Sequence, residues 1–343
     1  MIIVIIAGGS GTRLWPLSIP KFPKHLLKIN NDDRSLLQLT YDRAKKLTDK
    51  IYVVSEESHI KHVKEQLSEL TDNSFIIEPG RRGTANCIVA AIEYIGRNHD
   101  SDETIASIHA DHYIRDGEGF YHTFKIADQI AKSEQRIVLV GVEPDYPATG
   151  FGYIEKGKLF SEEPYVYNVA SFKEKPDNQT AREYLNKGTY LWNCGYFVGT
   201  LGTFISSMEK YSTGLFNNYQ LLKNSSKESY QKSYLSFESE AIDYALIEKI
   251  SNLLVIPASF DWMDLGSYSD LHKAIGSDQL GNHIQGQVEI ESVENSFIEN
   301  FENKPVAVIG LNNVVVINTE SGILVARKDL SQKVGEVSKR IEN

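Results

Sequence analysis

Apolar residues in the first half of the chain form short runs that are separated by longer amphipathic stretches. The runs are rich in β-branched residues, as buried strands are, and they cover residues 2–6, 51–55, 75–78, 104–109 and 137–142. Apolar positions at helical spacing predict helices over residues 59–70, 85–97 and 120–133. This alternation predicts an α/β fold in which helices cover both faces of a parallel sheet.

Such a sheet binds its ligands beyond the carboxyl ends of the strands, where loops lead into the helices. We therefore expect the functional residues in the loops that follow Ile6, Ile77, Ile108 and Val142.

The hydrophobic pattern changes in the second half of the chain. Longer strand-like runs are predicted at 153–155, 166–172 and 190–198, and helical patterns dominate from residue 201 to 250. From about residue 282, Asn, Glu and Gly turns separate short β-rich runs at 288–290, 306–309, 314–317 and 322–326. A last helix is predicted after Asp329. We expect one domain over residues 1–280 and a small β-rich C-terminal domain with a terminal helix over residues 281–343.

Composition narrows the class of protein and its partners. Apolar residues make up 41% and charged residues 24% of the 343 residues, as in ordinary globular proteins. The net charge of −10 argues against a general nucleic-acid binder, because such proteins are usually basic. The apolar N-terminal run is too short for a signal peptide or a membrane span. Because the two cysteines, Cys87 and Cys194, suit free thiols in a reducing compartment, we expect a cytoplasmic protein.

A glycine-rich stretch with two cationic residues follows the first predicted strand. Residues 7–25 read AGGSGTRLWPLSIPKFPKH, in which glycines expose backbone N–H groups and Arg13 and Lys24 add positive charge. The stretch lacks the P-loop string, and Leu14 stands where the dinucleotide fingerprint needs its third glycine. A flexible turn is the alternative, but a turn does not need the two cations. We therefore favour a phosphate-handling loop.

The loop resembles the signature of the sugar-nucleotide pyrophosphorylase family. Its continuation Trp15-Pro16-Leu17-Ser18 is similar to the mannose-1-phosphate guanylyltransferase branch. Further segments follow in the family's order: EPGRRGTAN at 78–86, HADHYI at 109–114, TGFGYI at 149–154, FKEKPD at 172–177, YLWNCGYF at 190–197, IDYALIEK at 242–249 and WMDLGSY at 262–268. The resemblance thus extends over almost the whole chain.

The resemblance implies a fold and a reaction. The fold is a Rossmann-like, mixed-sheet nucleotidyltransferase domain of the GT-A-like class, with a nucleotide half over about residues 1–145 and a sugar-phosphate half over about 146–280. In the reaction, a sugar-1-phosphate oxygen attacks the α-phosphorus of GTP and pyrophosphate leaves. With mannose-1-phosphate the product is GDP-mannose. Such transfers depend on alignment and on neutralisation of anionic groups more than on covalent catalysis.

The resemblance also assigns roles to residues of the nucleotide half. Arg13 would clamp phosphate oxygens with its planar guanidinium, and Lys24 would place charge near the α-phosphate. Without the surrounding motif, Lys24 would be read as a solvated surface lysine. Arg13, Lys24 and Asp111 are the expected catalytic residues. The expected nucleotide-binding residues are Gly8, Gly9, Gly11, Thr12, Arg13, Lys24, Glu78, Arg82, Thr84 and Asp111.

Glu78 ends a predicted strand and is the expected guanine-binding residue. A carboxylate only accepts hydrogen bonds, and guanine presents adjacent N1–H and N2–H donors, so this residue predicts a preference for GTP. A role in capping the helix before Ala85 is the alternative. Gly83 and Asn86 replace the Asn and Pro that are usual in the family, which leaves the shape of the base pocket open.

Two aspartates match metal ligands of the family although they lie far apart in the chain. Asp111 follows the strand predicted at 104–109, and Asp264 lies in the WMDLGS segment. Carboxylate oxygens suit Mg²⁺, so we expect Mg²⁺ or another divalent cation as the cofactor. Asp261 is the alternative ligand to Asp264. The nine His and two Cys show no spacing typical of a zinc site.

Four residues of the second half match the sugar-phosphate pocket of the family. Glu174 would accept two sugar hydroxyls, and Asn193 would both donate and accept a hydrogen bond. Lys175 would hold the sugar phosphate, and Gly150 would let the ring approach the backbone. Without the resemblance, the Glu-Lys-Pro segment would be an ordinary charged turn before a helix.

The loop departs from the family at three positions. Ile19 and Pro20 replace an Arg and an acidic or polar residue, and His25 replaces a Gln. Because Arg13 and Lys24 are kept, we expect an active enzyme and leave its substrate preference open.

Two other functions fit the sequence. One is a guanylyltransferase for another sugar-1-phosphate, such as a heptose. The other is a catalytically silent regulatory subunit that binds sugar nucleotides. We expect GTP and a sugar-1-phosphate as binding partners, no nucleic acid and no membrane, and leave a homodimer open. A fused isomerase domain, present in some family members, is not expected because the chain ends at Asn343.

Overall fold

The computed structural model describes residues 1–9, 11–29 and 33–342, and their contacts divide into two compact units. The first unit comprises Met1–Ala7, Tyr41–His109 and Ile114–Trp262. The second unit comprises Gly8–Thr40, Ala110–Tyr113 and Met263–Asn343. The glycine loop therefore shares a unit with the C-terminal region. The domain boundary near residue 280 stays a prediction of the sequence.

A nine-stranded sheet forms the core of the first unit, in the order β3-β2-β1-β4-β8-β5-β9-β7-β6. Its strands are β1 (Ile2–Ala7), β2 (Ile51–Glu56), β3 (Phe75–Glu78), β4 (Thr104–His109), β5 (Val138–Val142), β6 (Gly152–Glu162), β7 (Tyr165–Lys173), β8 (Tyr190–Thr200) and β9 (Leu254–Pro257). The first four strands are parallel, whereas β8 runs antiparallel to β4 and β5. The sheet is mixed, which confirms the fold class that the resemblance implied. The parallel sheet expected from the alternation of strands and helices is wrong for the second half, where β6, β7 and β8 pair antiparallel with their neighbours.

Strand β1 explains why the glycine loop begins where it does. Every residue of β1 is buried, which accounts for its unbroken apolar sequence. Parallel pairing with β4 places Ile6 opposite His109, so the two strands end side by side. The segments that carry the glycine loop and Asp111 therefore leave the sheet from adjacent strand ends.

Helices connect the strands and continue into the second half of the chain. They are α1 (Leu36–Leu47), α2 (Ile60–Gln66), α3 (Gly83–Ile95), α4 (Gly117–Glu134), α5 (Asn178–Lys187), α6 (Leu201–Tyr211), α7 (Thr213–Lys223), α8 (Lys227–Leu235), α9 (Ile242–Ala245), α10 (Tyr268–Ile275) and α11 (Val334–Glu342). Carboxylates cap two of them: Asp116 accepts from the Gly119 amide at the start of α4, and Asp177 accepts from the Thr180 amide at the start of α5. Among the described residues, no helix is both long and apolar enough to cross a membrane.

The C-terminal strands of the second unit wind into a small coil. A four-stranded sheet contains β10 (His283–Gln285), β12 (Phe297–Asn300), β14 (Val314–Thr319) and β15 (Gly322–Arg327), and a two-stranded sheet contains β11 (Val288–Glu291) and β13 (Val306–Ile309). The pairs β10–β12, β12–β14 and β11–β13 are parallel, so successive turns of the chain stack on one another. A buried cluster joins Phe297 and Ile317 of this coil to Leu14 and Trp15 of the glycine loop.

Most predicted strands and helices are present, with differences at their ends. The strands predicted at 75–78, 104–109 and 306–309 have the observed bounds, and the helix predicted at 59–70 is shortened to α2. The pattern does not predict α1 or β9. β9 is only four residues long, and so short an apolar run does not distinguish a strand from a buried turn of helix.

Candidate functional site

The glycine loop has an open part and a packed part. A Cβ added at Gly8 or Gly9 would meet nothing within 4 Å, so this backbone is accessible to a ligand. Gly11 differs, because its φ is +59° and a Cβ there would lie 2.7 Å from the Lys24 amide nitrogen. Gly11 is therefore required for the close approach of the segment that carries Lys24. Its predicted contact with phosphate stays a prediction.

Lys24 is buried between the two predicted metal ligands. Its Nζ lies 2.8 Å from Asp111 Oδ2 and 3.1 Å from Asp264 Oδ1, and it also donates to the main-chain oxygen of Asp264. Burial by itself lowers the pKa of Lys24, but the two carboxylates outweigh it and raise the pKa above its ordinary value. The alternative interpretation of Lys24 as a solvated surface lysine is therefore wrong, since only 5% of the residue is exposed.

Backbone pairing explains how Asp111 and Asp264 meet. The amide of Tyr113 donates to the carbonyl of Met263 and the reverse bond also forms, at 2.9 and 3.0 Å. This two-residue antiparallel bridge aligns the segments that carry the two aspartates. Leu265, directly after Asp264, has a φ of +49° although it is bulky and buried, so the surrounding packing holds the backbone at Leu265 in an unfavourable conformation.

Arg13 lies next to the same cluster. One of its terminal nitrogens is 3.6 Å from Asp264 Oδ2, and its side chain is half exposed. A Cβ on Gly266 would come within 2.9 Å of Arg13 NH1, so the small residue after the WMDL segment makes room for the guanidinium. We call Arg13, Lys24, Asp111 and Asp264 the lysine cluster. It gathers two cations and two carboxylates from three distant segments.

Asp261, the alternative metal ligand, has other partners. Its carboxylate accepts hydrogen bonds from the backbone amides of Arg115 and Asp116 at 3.0 and 2.8 Å, and from Arg115 Nε at 2.9 Å. Burial raises its pKa, but these donors prevail and the pKa lies below the usual value. Asp264 thus shares Lys24 with Asp111, whereas the carboxylate of Asp261 is bound by Arg115 and Asp116.

The lysine cluster fits a divalent cation. The carboxylates of Asp111 and Asp264 are hard ligands, and both face the same point. In this structure that point holds the positively charged ammonium group of Lys24. Among the described residues, no group of three or more His, Cys, Asp and Glu side chains could hold a metal ion. A cation here would therefore rely on phosphate oxygens or water for its remaining ligands.

Glu78 lies in the first unit and is nearly buried. Tyr234 of α8 donates a hydrogen bond to Glu78 Oε1, and the Cys87 thiol also contacts the Glu78 carboxylate. Burial raises the pKa of Glu78, whereas the Tyr234 and Cys87 contacts act in the opposite direction. Glu78 does not cap α3, whose first turn follows Arg82. Its role in binding guanine stays a prediction.

The first turn of α3 is held against residues 235–242 by Arg82, Thr84 and the two departures, Gly83 and Asn86. Arg82 Nε and NH2 donate to the Leu235 carbonyl at 3.0 and 2.7 Å, and Thr84 Oγ1 accepts from the Ile242 amide at 3.0 Å. A Cβ at Gly83 would collide with the backbone of Glu240. Asn86 donates to the carbonyls of Arg82 and Glu238. The Gly83 and Asn86 departures are therefore explained by local packing.

The predicted sugar-phosphate residues also lie in the first unit, and three of them form one cluster. Glu174 is 8% exposed, and its Oε1 lies 3.2 Å from Lys175 Nζ. A Cβ on Gly152 would collide with Glu174 Oε2 and would lie 3.2 Å from Asn193 Cβ. Gly150, by contrast, is exposed with nothing within 4 Å of an added Cβ. Gly152, which the sequence did not single out, is the glycine that this cluster requires.

Two further carboxylates reach this cluster. Asp243 Oδ1 accepts from Asn193 Nδ2 at 2.8 Å, and Glu248 Oε1 accepts from the Glu174 amide at 3.0 Å. We call Glu174, Lys175, Asn193, Asp243 and Glu248 the Glu174 cluster. Both added residues lie in the IDYALIEK segment at 242–249. This segment resembles the family, but the sequence assigned no role to its residues.

The departures at 19 and 20 lie in a tight turn, and the departure at 25 lies in the 3₁₀ helix that follows it. Ile19 and Phe22 exchange both backbone hydrogen bonds, with Pro20 at the exposed tip, and Ile19 packs on the apolar cluster of the second unit. His25 is buried beside Lys24 in a short 3₁₀ helix. Ile19 and Pro20 therefore belong to the turn, and His25 belongs to the buried segment that carries Lys24.

Comparison with known proteins places the chain in a family. A nucleotidyl transferase model matches residues 2–279, and a MannoseP isomerase/GMP-like beta-helix domain model matches residues 285–341. The chain is 34% identical to mannose-1-phosphate guanylyltransferase of Klebsiella pneumoniae, over 96% of this chain and 72% of that protein. The chain belongs to the mannose-1-phosphate guanylyltransferase family of nucleotidyl transferases.

Two other proteins show how far the similarity extends. An Escherichia coli mannose-1-phosphate guanylyltransferase is 34% identical over 100% of this chain and 76% of its own length. A crystal structure from Thermus thermophilus, described as a mannose-1-phosphate geranyltransferase, matches with a TM-score of 0.89 and 26% identity, over 100% of this chain and 99% of that one. The protein is thus a sugar-1-phosphate nucleotidyltransferase with a C-terminal β-helix-like domain.

Proposed function

We propose that this enzyme makes GDP-mannose and pyrophosphate from GTP and mannose-1-phosphate. The observation that carries the proposal is the burial of Lys24 between Asp111 and Asp264, with Arg13 beside them. The names of the relatives support guanine and mannose as the base and sugar.

The proposed reaction is a single displacement at phosphorus. An oxygen of the sugar-1-phosphate forms a bond to the α-phosphorus of GTP, and the bond to the bridging oxygen of pyrophosphate breaks. Lys24 places its charge on the α-phosphate, and Arg13 binds the oxygens of the departing pyrophosphate through its guanidinium. Both groups offset negative charge that shifts during the displacement.

Asp111 and Asp264 would hold the divalent cation. The cation supplies neutralisation of the phosphate oxygens and a fixed reference for their orientation. The contribution of the protein is a pair of carboxylates that is already assembled by the Tyr113–Met263 backbone bridge. Activity is therefore expected to disappear with a chelator and to return with Mg²⁺.

Glu78 is the proposed guanine-binding residue. A carboxylate has about four acceptor positions, so the hydrogen bond from Tyr234 leaves acceptors for the adjacent N1–H and N2–H donors of guanine. Adenine and the pyrimidines lack this donor pair. In the Glu78→Gln variant one acceptor oxygen is replaced by an NH₂ group, so the preference for GTP over ATP should fall by about tenfold or more.

The test is a matrix of nucleotides and sugars. Pyrophosphate release is measured for GTP, ATP, UTP and dTTP, each with mannose-1-phosphate, glucose-1-phosphate and a heptose-1-phosphate. The proposal expects the highest kcat/KM for GTP with mannose-1-phosphate, and Asp111→Asn serves as the inactive control. A higher kcat/KM with the heptose would replace mannose in the proposal. Binding of sugar nucleotide without turnover of any pair would instead indicate the silent regulatory subunit.

A further inference from the structure

The helical segment at residues 242–249 directs two carboxylates at the proposed sugar-binding residues. Asp243 lies in α9 and Glu248 in the 3₁₀ turn that follows it. Each makes a hydrogen bond to a different residue of the Glu174 cluster. The segment resembles the family in sequence, but none of its residues takes part in the proposed reaction.

Asp243 fixes the orientation of the Asn193 amide group. Asn193 Nδ2 donates to Asp243 Oδ1 at 2.8 Å, while Asn193 Oδ1 accepts from the Gly195 amide at 3.0 Å. Because both ends of the side chain have partners of opposite character, the amide cannot be flipped without losing both bonds. One N–H of Nδ2 then remains to donate to a substrate hydroxyl.

Glu248 acts on the neighbouring residue through its backbone. Its Oε1 accepts from the Glu174 amide at 3.0 Å, which holds the main chain where Lys175 has a φ of +45°, in the left-handed region. Among the described residues, Glu174 Oε2 has no hydrogen-bond partner although it is buried. An unpartnered buried acceptor is costly, so this oxygen is a natural site for a donor from a ligand.

We infer that Asp243 and Glu248 are positioning residues of a sugar-hydroxyl site in which Glu174 accepts and Asn193 donates. Neither positioning residue needs to touch the sugar, because each acts through the hydrogen bond that it makes to Asn193 or to the Glu174 backbone. The inference rests on the proposed function, since it takes the ligand to be the sugar ring of the sugar-1-phosphate.

Charge in the cluster supports this inference. Burial first, and then the charge of Asp243, raise the pKa of Glu174 to about 7; Glu248 adds to the rise and Lys175 opposes it. Above that pH, Glu174 is an acceptor of two hydroxyl hydrogen bonds, and below it one oxygen carries a proton. The KM for the sugar-1-phosphate should therefore rise as the pH falls through 7.

The experiment separates the two substrates by their KM values. For the wild-type enzyme and each variant, kcat and both KM values are measured with GTP and with the sugar-1-phosphate that the wild type uses at the highest kcat/KM. Asp243→Ala and Glu248→Ala should raise the KM for the sugar-1-phosphate by about tenfold and about threefold, and change the KM for GTP less than twofold. The effect of Glu248 is smaller because its side chain is exposed.

Conservative variants distinguish positioning from mere structure. Asp243→Asn and Glu248→Gln keep an acceptor oxygen, so each should show only a small part of the rise in KM for the sugar-1-phosphate that the Ala variant shows. Asp243→Asn also removes a negative charge next to Glu174, which should move the inflexion in the pH profile of KM to lower pH. The phosphate of the substrate titrates identically in both proteins, so the difference between their profiles reports Glu174. Glu238→Gln, an exposed carboxylate of the preceding loop, is the control.

The outcomes separate this inference from the proposed function. An unchanged KM for the sugar-1-phosphate in Asp243→Ala, with a thermal midpoint like that of the wild type, would overturn the positioning role. An equal rise in the KM values for both substrates would also overturn it, since that result indicates a general loss of structure. A wild-type preference for a sugar other than mannose changes the proposed substrate only, because the variants are assayed with whichever sugar is preferred.

Discussion

Lys24 keeps its charge in a place where burial alone would oppose it. The carboxylates of Asp111 and Asp264 compensate the ammonium group, and the ammonium group in turn compensates two neighbouring carboxylates. The lysine is thus a counter-ion at the position proposed for the divalent cation. A cation that binds both carboxylates must compete with it.

Replacement of Lys24 should therefore have opposite effects on catalysis and on metal binding. In Lys24→Met, turnover should fall roughly a hundredfold to a thousandfold, as is usual when an electrostatic group at the reacting phosphate is removed. Mn²⁺, followed by electron paramagnetic resonance without nucleotide, should bind more tightly than to the wild type, because the competing ammonium group is gone. Lys21→Met, an exposed lysine of the same loop, is the control. Equal or weaker Mn²⁺ binding by Lys24→Met would show that Lys24 is not a counter-ion for this site.

The raised pKa of Glu174 makes the stability of the protein depend on pH. Its pKa is raised by burial to about 7, above the value of about 4.3 in an unfolded chain. The folded state therefore holds the proton more tightly, and this contribution to stability is full at acidic pH and is lost as the pH rises through 7.

Glu174→Gln should remove that pH dependence. Between pH 5 and pH 8, the free energy of unfolding of the variant should fall less than that of the wild type, by on the order of 1–3 kcal/mol. Chemical denaturation at several pH values measures the difference, with Glu209→Gln as an exposed control on α6. Parallel pH profiles for Glu174→Gln and the wild type would contradict the raised pKa. The same variant should have a higher KM for the sugar-1-phosphate.

At the scale of elements, helix α11 lies against the short 3₁₀ helix that carries Arg13. A Cβ on Gly335 would be 3.0 Å from Arg13 Cγ, and Ser338 Oγ donates to the Thr12 carbonyl at 3.3 Å. The last helix of the chain therefore supports a residue of the lysine cluster. The sequence predicts a last helix after Asp329 but says nothing about this contact.

A larger side chain at Gly335 should displace Arg13. Because a shift of about 1 Å in a catalytic group is enough to slow a reaction strongly, Gly335→Val should lower kcat about tenfold to a hundredfold. Val337→Ala, at a more exposed position of α11, is the matched control and should leave kcat unchanged. For both variants, kcat is measured together with the midpoint of thermal unfolding, which shows whether the protein is folded. Normal turnover in a folded Gly335→Val protein would mean that α11 does not position Arg13.

At the scale of the whole molecule, the C-terminal coil and the glycine loop share one buried cluster. Phe297, Ile317 and Val334 pack with Leu14 and Trp15, and Gly322 is required because a Cβ there would lie 2.6 Å from Cζ2 of the Trp15 ring. The predicted division at residue 280 separates the two sides of this cluster.

Removal of residues 281–343 should therefore inactivate the enzyme. The truncated chain would expose the apolar partners of Trp15 and lose the support of Arg13, so we expect loss of turnover and increased binding of a hydrophobic dye. Trp15→Ala in the full-length chain, which removes the same contact from the other side, should lower the thermal midpoint by several degrees. A fully active 1–280 chain would refute this dependence.

The sequence determined the class of reaction, which is sugar-1-phosphate nucleotidyl transfer, and most of the fold class. Apolar β-branched runs dictate buried strands because a strand covered on both faces excludes polar side chains, so β1, β3 and β4 could be predicted nearly residue by residue. The resemblance pointed to Lys24, Asp111 and Glu174 because the residue types that phosphate, metal and sugar require are readable in short motifs.

Only the tertiary structure decided which of these residues meet. The spacing of Asp261 and Asp264 does not show which of them meets Lys24. Asp264 does so because the Tyr113–Met263 backbone bridge aligns its segment with that of Asp111, while Asp261 has donors of its own. Likewise, nothing local to Asp243 indicates that its partner is Asn193. Such pairings are long-range, because they depend on strand register and on how loops pack, and a linear pattern records neither.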